Sequence, residues 1–158
     1  MTYKQLNKFM LVQEEDNPTI QTVDASYIEV TGSKCEVVAL SSSPNLLYKF
    51  SFYSRCGSTK QTLLNIKLQK SNDNFSSNIV DVPNCNFNIS GDNRTSNETY
   101  DQTITPFFII ENFDSQYLRL VARSYSSTYQ SILHRSNEYD GAAATTIYYN
   151  TSLIVSEL

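Results

Sequence analysis

Tryptophan is missing from the sequence, histidine occurs once, and 158 residues share four glycines, four prolines and three cysteines. Each scarcity removes a kind of chemistry. One histidine cannot build a multi-histidine metal centre. Cys35, Cys56 and Cys85 stand far apart in the chain, whereas a zinc site wants closely spaced Cys and His pairs. They read as reduced, mostly buried thiols, with a Cys35–Cys56 bridge as the lesser alternative. The glycines form neither a phosphate loop nor a dinucleotide fingerprint, and the Gly-x-Ser-x-Gly nucleophile elbow is absent. No acidic run has the spacing of an EF-hand loop. No cofactor and no metal are therefore expected.

Long apolar runs are missing too. Phe9-Met10-Leu11-Val12 is the only such patch near the N-terminus. It is short for a signal-peptide core and lacks a small-residue cleavage site. No stretch approaches the roughly 20 apolar residues of a membrane span. The expectation is synthesis in a cytoplasm, with no membrane insertion. Charge of one sign is also scarce. Twelve Lys and Arg against 16 Asp and Glu give a net charge of −4. The cations are scattered rather than gathered in a stripe, so nucleic acid is not an expected partner.

What is present is eleven Tyr, eight Phe and a crowd of Ser, Thr and Asn, in a chain that is 40% apolar. That mixture suits strands joined by polar loops, and it is too apolar for disorder. Leu64, Ile66 and Leu68 alternate with Asn65, Lys67 and Gln69. Leu46, Tyr48, Phe50 and Phe52 do the same, as do Leu118, Leu120 and Ala122. A period of two marks a half-buried strand. "KCEVVAL" and "TPFFIIE" are apolar at successive positions and read as strands covered on both faces. Only the first dozen residues offer a helical pattern, through Leu6, Phe9 and Met10. Gly32-Ser33, Ser41 to Asn45, Arg55 to Lys60, Asn112 to Ser115 and Asn137 to Gly141 are turn signals.

The fold class is thus all-β. The strand spacing predicts one two-sheet antiparallel β-sandwich of jelly-roll type, with about eight or nine strands. Residues 1–23 read as an N-terminal arm or docking segment, and residues 24–158 as the sandwich. Lys70 to Gln102 is nearly all polar. Ile79 to Val82 and Phe87 to Ile89 are candidate short strands in it, and Ser90 to Tyr100 reads as an exposed loop. Asp92, Asn93, Arg94 and Asn97 are its candidate recognition residues. Sequons stand at Asn74, Asn88, Asn93, Asn97 and Asn150. Without a visible signal peptide, chance in a chain rich in Asn, Ser and Thr is the favoured reading over a glycosylated surface.

His134 lies in "SILHR". With this many serines a Ser-His-Asp set can always be imagined, so the lone histidine reads as a hydrogen-bonded or interface residue rather than a base. Tyrosines crowd the last third of the chain. Tyrosine is favoured at interfaces and is also a good strand former. Both readings stay open on composition alone.

A resemblance narrows the function. Arg123-Ser124-Tyr125-Ser126-Ser127, then Leu133-His134, then Tyr139-Asp140-Gly141, then the closing Leu153-Ile154-Val155-Ser156-Glu157 resemble C-terminal segments of virion proteins of phages and large aquatic DNA viruses. "PNLLYKFSFYSRCG…TLLNIKLQK" is similar to paired strands of the same module. The resemblance covers Tyr27 to Leu158. It implies a TNF/C1q-like jelly roll, commonly trimeric, without catalytic residues. The implied protein is a non-enzymatic virion component, a capsid-associated or decoration subunit or a short fibre head. Its implied role is assembly or host attachment. Its partners would be copies of itself, other capsid or tail proteins, and a host-surface glycan or receptor. Tyr125, Tyr129, His134 and Tyr139 are the candidate intersubunit contacts. The alternative reading is a carbohydrate- or receptor-binding sandwich, including a TNF-like ligand.

Overall fold

The computed structural model describes residues 10–15, 18–56, 61–92, 101–140 and 143–158. The strands in chain order are β1 (Met10–Glu15), β2 (Gln21–Val23), β3 (Ile28–Glu29), β4 (Cys35–Glu36), β5 (Leu46–Cys56), β6 (Gln61–Ser71) and β7 (Val80–Asp92). They continue with β8 (Asp101–Ile104), β9 (Phe107–Ile110), β10 (Tyr117–Ser124), β11 (Ser131–Leu133), β12 (Arg135–Asp140), β13 (Ala143–Tyr148) and β14 (Thr151–Glu157). A single 3-10 turn, Ser127–Tyr129, follows β10.

All pairings among these strands are antiparallel, and they form two sheets of seven and five strands plus a separate hairpin of β12 and β13. The all-β sandwich expected from the sequence is what forms. The strand count differs from eight or nine, because the two sheets hold twelve segments. Interruption is the reason. β14 faces Leu46–Ser51 of β5 and β11 faces Ser54–Cys56, so the two lie end to end along one neighbour. β9 and β8 do the same along the other side of β5. β1 and β2 follow β14 and β11 one row further out. β3 and β4 both run along β10.

The segment read as an arm therefore contributes two strands to the sandwich. Met10 to Glu15 is extended rather than helical, because β14 supplies a partner for its backbone over six residues. Val23 at the end of β2 is fully buried.

The core lies between the sheets. β5 sends in Leu46, Tyr48, Phe50 and Phe52, and β14 adds Leu153 and Val155. β6 answers with Leu64, Ile66 and Leu68, and β10 with Leu118, Leu120 and Ala122. These are the alternating positions of the sequence, and each large side chain so buried stabilises the fold by about 1.5–3 kcal/mol. Tyr48 is fully buried, and its hydroxyl donates across the sandwich to the Ser33 carbonyl at 2.6 Å. Burial pushes its phenol well above the usual range. Ser33 also patches the gap between β3 and β4. Its Oγ accepts from the Leu120 amide at 3.1 Å and donates to the Leu120 carbonyl at 3.2 Å. Cys35 is a free, buried thiol pushed up to about 12 by burial, so the Cys35–Cys56 bridge is not made.

β6 and β7 are joined by a turn built on Asp73. Its carboxylate accepts from the amides of Ser76, Ser77 and Asn78 and from the side chains of Ser71, Ser77 and Asn78. These bonds hold its pKa well below the usual carboxylate range, the Ser71 and Ser77 hydroxyls contributing most. They also hold Asn74 and Phe75 at φ 55° and 64°, a region that disfavours Phe. The Arg119 guanidinium lies 4.2 Å over the Phe75 ring. β7 is one long strand instead of two short ones in a loop. The register shifts between Lys67 and Gln69, where four residues of β7 bulge out and bury Val82 and Cys85. The bulge breaks the period of two, which hides the strand in the sequence.

Candidate functional site

The outer face of the seven-stranded sheet carries an apolar patch among polar residues. "TPFFIIE" does not lie between two layers as its composition implies. Phe108 and Ile110 point into the core, while Phe107 and Ile109 are 68% and 59% exposed. The register extends these outward positions into rows. Phe107 stands beside Lys49, Lys49 beside Ile154, and Ile154 beside Val12. Ile109 stands beside Leu47, and Leu47 beside Ser156. Val12 is 55% exposed, and Leu47 and Ile154 are half-buried. Val38 and Leu40, from the other run read as doubly covered, are exposed as well.

The outer face of the five-stranded sheet is the opposite. Its polar groups satisfy one another. Arg119 Nη1 pairs with Glu29 at 3.2 Å, while Nε and Nη2 donate to Gln69 at 3.0 and 2.9 Å. Gln69 donates to Asp81 at 2.9 Å, and Lys67 reaches the other oxygen of Asp81 at 2.7 Å. Lys67 also sits 4.1 Å over the Tyr27 ring. The Tyr27 hydroxyl donates to Asn65, and Asn65 donates to Asn88 at 2.8 Å. The chain of contacts crosses the whole sheet.

The hairpin β12–β13 leaves the larger sheet midway along a row. β11 ends at Leu133, β14 begins at Thr151, and both pair with β5. His134 takes φ 67° at the exit. Its amide donates to the Tyr53 carbonyl at 2.9 Å, and the returning Tyr149 amide donates to the His134 carbonyl at 3.1 Å. The Tyr149 ring stacks on Tyr53 with centres 3.9 Å apart and planes 5° apart, covering a residue that alternates outward from Phe52.

His134 is fully buried, with its ring 6.2 Å from that of Phe52. Its Nε2 lies 3.3 Å from Gln21 Oε1. Gln21 Nε2 donates to the Glu29 carbonyl, and the Thr31 amide donates to Gln21 Oε1. Those two bonds fix the amide, so Nε2 of the histidine is the protonated nitrogen. Nδ1 and the nearby strand residue Ser54, through Oγ, are buried without partners among the described residues. Burial pulls the ring's pKa down to about 4. No carboxylate bonds the ring among the described residues, and it is closed to solvent. Such a ring is neutral at ordinary pH and has no path to a substrate.

The other sequence candidates fall in several places. Tyr125 follows β10 and is 73% exposed. Tyr129 ends the 3-10 turn, and Tyr139 stands opposite Ala144 in the hairpin. The side chains of both lie outside the described residues. His134, grouped with them as a subunit contact, is enclosed by its own chain. Asp92 is the last residue of β7, and Asn93, Arg94 and Asn97 lie outside the described residues. No three His, Cys, Asp or Glu side chains gather to hold a metal among the described residues. The outward rows were missed in the sequence because a run such as Phe107–Ile110 carries apolar groups on both faces, and nothing local marks which face a partner covers.

No protein-family model and no curated protein matches the sequence. Among solved structures, the chain is similar to one described as the structure of infectious bursal disease virus Gx strain, with 10% identity and a TM-score of 0.48 over 96% of this chain and 37% of that one. It is also similar to a chain of the T13 IBDV viral particle, with 12% identity and a TM-score of 0.34 over 90% of this chain and 36% of that one. The chain spans little more than a third of the length of either.

Proposed function

We propose that the protein is a non-enzymatic structural component of a virus particle, a capsid-associated subunit or short fibre head that assembles with copies of itself. The apolar outer face of the seven-stranded sheet carries this reading. Contiguous exposed apolar patches rimmed by polar groups mark interaction surfaces, and interfaces between identical subunits are the more apolar kind. Here Val12, Ile154, Leu47, Phe107 and Ile109 lie in register across four strands. They end at β8 and β9, which pair only with β5 among the described residues.

The path of the chain supports the jelly-roll part of the reading. With each interrupted strand taken as one, the sheets run β1/β2, β11/β14, β5, β8/β9 and β3/β4, β10, β6, β7. Every connection crosses between sheets except that of β6 to β7. Two sheets wrapped in this way from about eight strands are the pattern of capsid and lectin domains. Fold alone does not set function. The resemblance of the Arg123 to Glu157 segment to virion proteins supports the location in a particle and the trimeric state.

Light scattering on the purified chain tests the assembly. A trimeric mass at micromolar concentration is expected, and a monomeric mass overturns it. Mass spectrometry of purified particles tests the location, and absence from them removes the virion role.

A further inference from the structure

The five-stranded sheet carries a concavity that its polar network does not fill. It has a volume of about 400 Å³ and lies between Tyr27 and Tyr125, over Leu63 and Ile89. Tyr125 is held at one side by its amide, which donates to the Leu63 carbonyl at 2.9 Å. Arg123 lines the opening, its guanidinium 5.1 Å over the Tyr27 ring. The lining contains no carboxylate among the described residues.

Arg123 differs from the other cations of this face. Lys67 is bound to Asp81 and Arg119 to Glu29. Arg123 has no carboxylate partner among the described residues, and its guanidinium lies over the ring of Tyr27. The amides beside it have a fixed direction. Tyr27 donates to Asn65 Oδ1, and Asn65 Nδ2 donates to Asn88 Oδ1. The relay ends on the Asn88 Nδ2, a donor without a partner among the described residues. The concavity thus offers a planar cation, an amide donor and an exposed aromatic ring, with no carboxylate among the described residues that line it.

We propose that this cavity binds the acidic sugar of a glycan, with the sugar carboxylate on Arg123 and an apolar face of the pyranose against Tyr125. A guanidinium meets a carboxylate through two parallel hydrogen bonds, and this geometry selects carboxylate over hydroxyl. The amide of Asn88 suits a ring hydroxyl. Tyrosine supplies contact area at low entropic cost. The cavity volume fits one or two sugar rings. It opens on the sheet opposite the apolar face, so a subunit assembled through that face keeps the cavity in solvent.

Calorimetric titration of the full chain, made in bacteria so that the Asn88 sequon stays unmodified, tests this directly. The probes are 3′-sialyllactose, neutral lactose and a tetra-aspartate peptide. The acidic sugar is expected to bind at least about tenfold more tightly than lactose. Arg123→Gln should bring it down to the level of lactose, and Tyr125→Ala should weaken both sugars. Lys34→Ala removes an exposed cation outside the cavity and should change nothing. Thermal melts confirm that each variant is folded. Equal affinity for both sugars, binding of the peptide without the sugars, no binding of any probe, or an unchanged Arg123→Gln variant each overturns the proposal. None of these outcomes depends on the oligomeric mass, so the assembly reading stands or falls separately.

Discussion

The two outer faces of the sandwich have the same pleat and opposite chemistry. On the five-stranded sheet, Glu29, Arg119, Gln69, Asp81 and Lys67 bind one another in sequence. On the seven-stranded sheet, Lys49 is the one charged residue in a row with Phe107, Ile154 and Val12. Along that chain of residues the first face has met its hydrogen-bonding needs internally, and only the cavity beside Arg123 is left open. The second carries a patch with few groups to satisfy, which leaves apolar area in water. A sandwich needs only its inner faces to fold. The outer faces are therefore where a partner's demands are written.

The largest effect expected from breaking this contrast comes from Phe107→Glu. A charge at the most exposed aromatic of the apolar patch should cost roughly 4 kcal/mol of association, and light scattering should report monomer. The melting temperature of the monomer should hardly move, because Phe107 is exposed in the single chain.

Acid gives the next effect, at the base of the hairpin on the same sheet. His134 takes a proton near pH 6.5 when unfolded and near pH 4 when buried. Between these values the unfolded chain holds more protons than the folded one. Stability contributed by the neutral ring is complete above pH 6.5 and is lost as the pH falls toward 4, by about 3 kcal/mol in all. Denaturant midpoints measured from pH 7 to pH 4 should fall accordingly, and His134→Gln should flatten the profile.

Arg119→Ala should cost about 2 kcal/mol of fold stability, since losing a charged, largely buried hydrogen-bonding group strips Glu29 of its ion pair and the Gln69 Oε1 of its donors. Urea unfolding measures it, and the oligomeric mass should not change. Lys67→Ala should cost the least, about 0.5 kcal/mol, because its partner Asp81 is more than half exposed. If Arg119→Ala lowered the mass, or Phe107→Glu lowered monomer stability, the roles of the two faces would be reversed.

The sequence shows the inner faces plainly. Leu64, Ile66, Leu68, Leu118 and Leu120 repeat every second residue, and all are buried. The difficulty begins where an outward residue is also apolar. Phe107 and Ile109 make their strand look doubly covered, because local pattern cannot say whether the second cover is the same chain or another. Short strands are hard for a related reason. β3 and β4 have two residues each, too few to show a period. Their place is set by β10 and by the Ser33 hydroxyl, both distant in sequence or outside any strand pattern. Asp73 reads as one more polar residue, since six hydrogen bonds to its own turn are a property of the folded backbone. The cavity beside Arg123 depends on Tyr27, Asn88 and Tyr125, which only the sheet brings together.

The interrupted row of β11 and β14 has a further consequence. The chain leaves at His134 and returns at Tyr149, and those two backbones are bonded at 3.1 Å. The row resumes on β5 as though nothing had been inserted. The hairpin is thus an extension with its own two-point clasp, and its length is free of the register around it. Replacing residues 135–148 by a short glycine linker should leave a folded sandwich, and a different peptide grafted there should be carried on the outside. The core need not be redesigned to change what is carried at this clasp, and an engineer can use the same opening as a port for foreign epitopes.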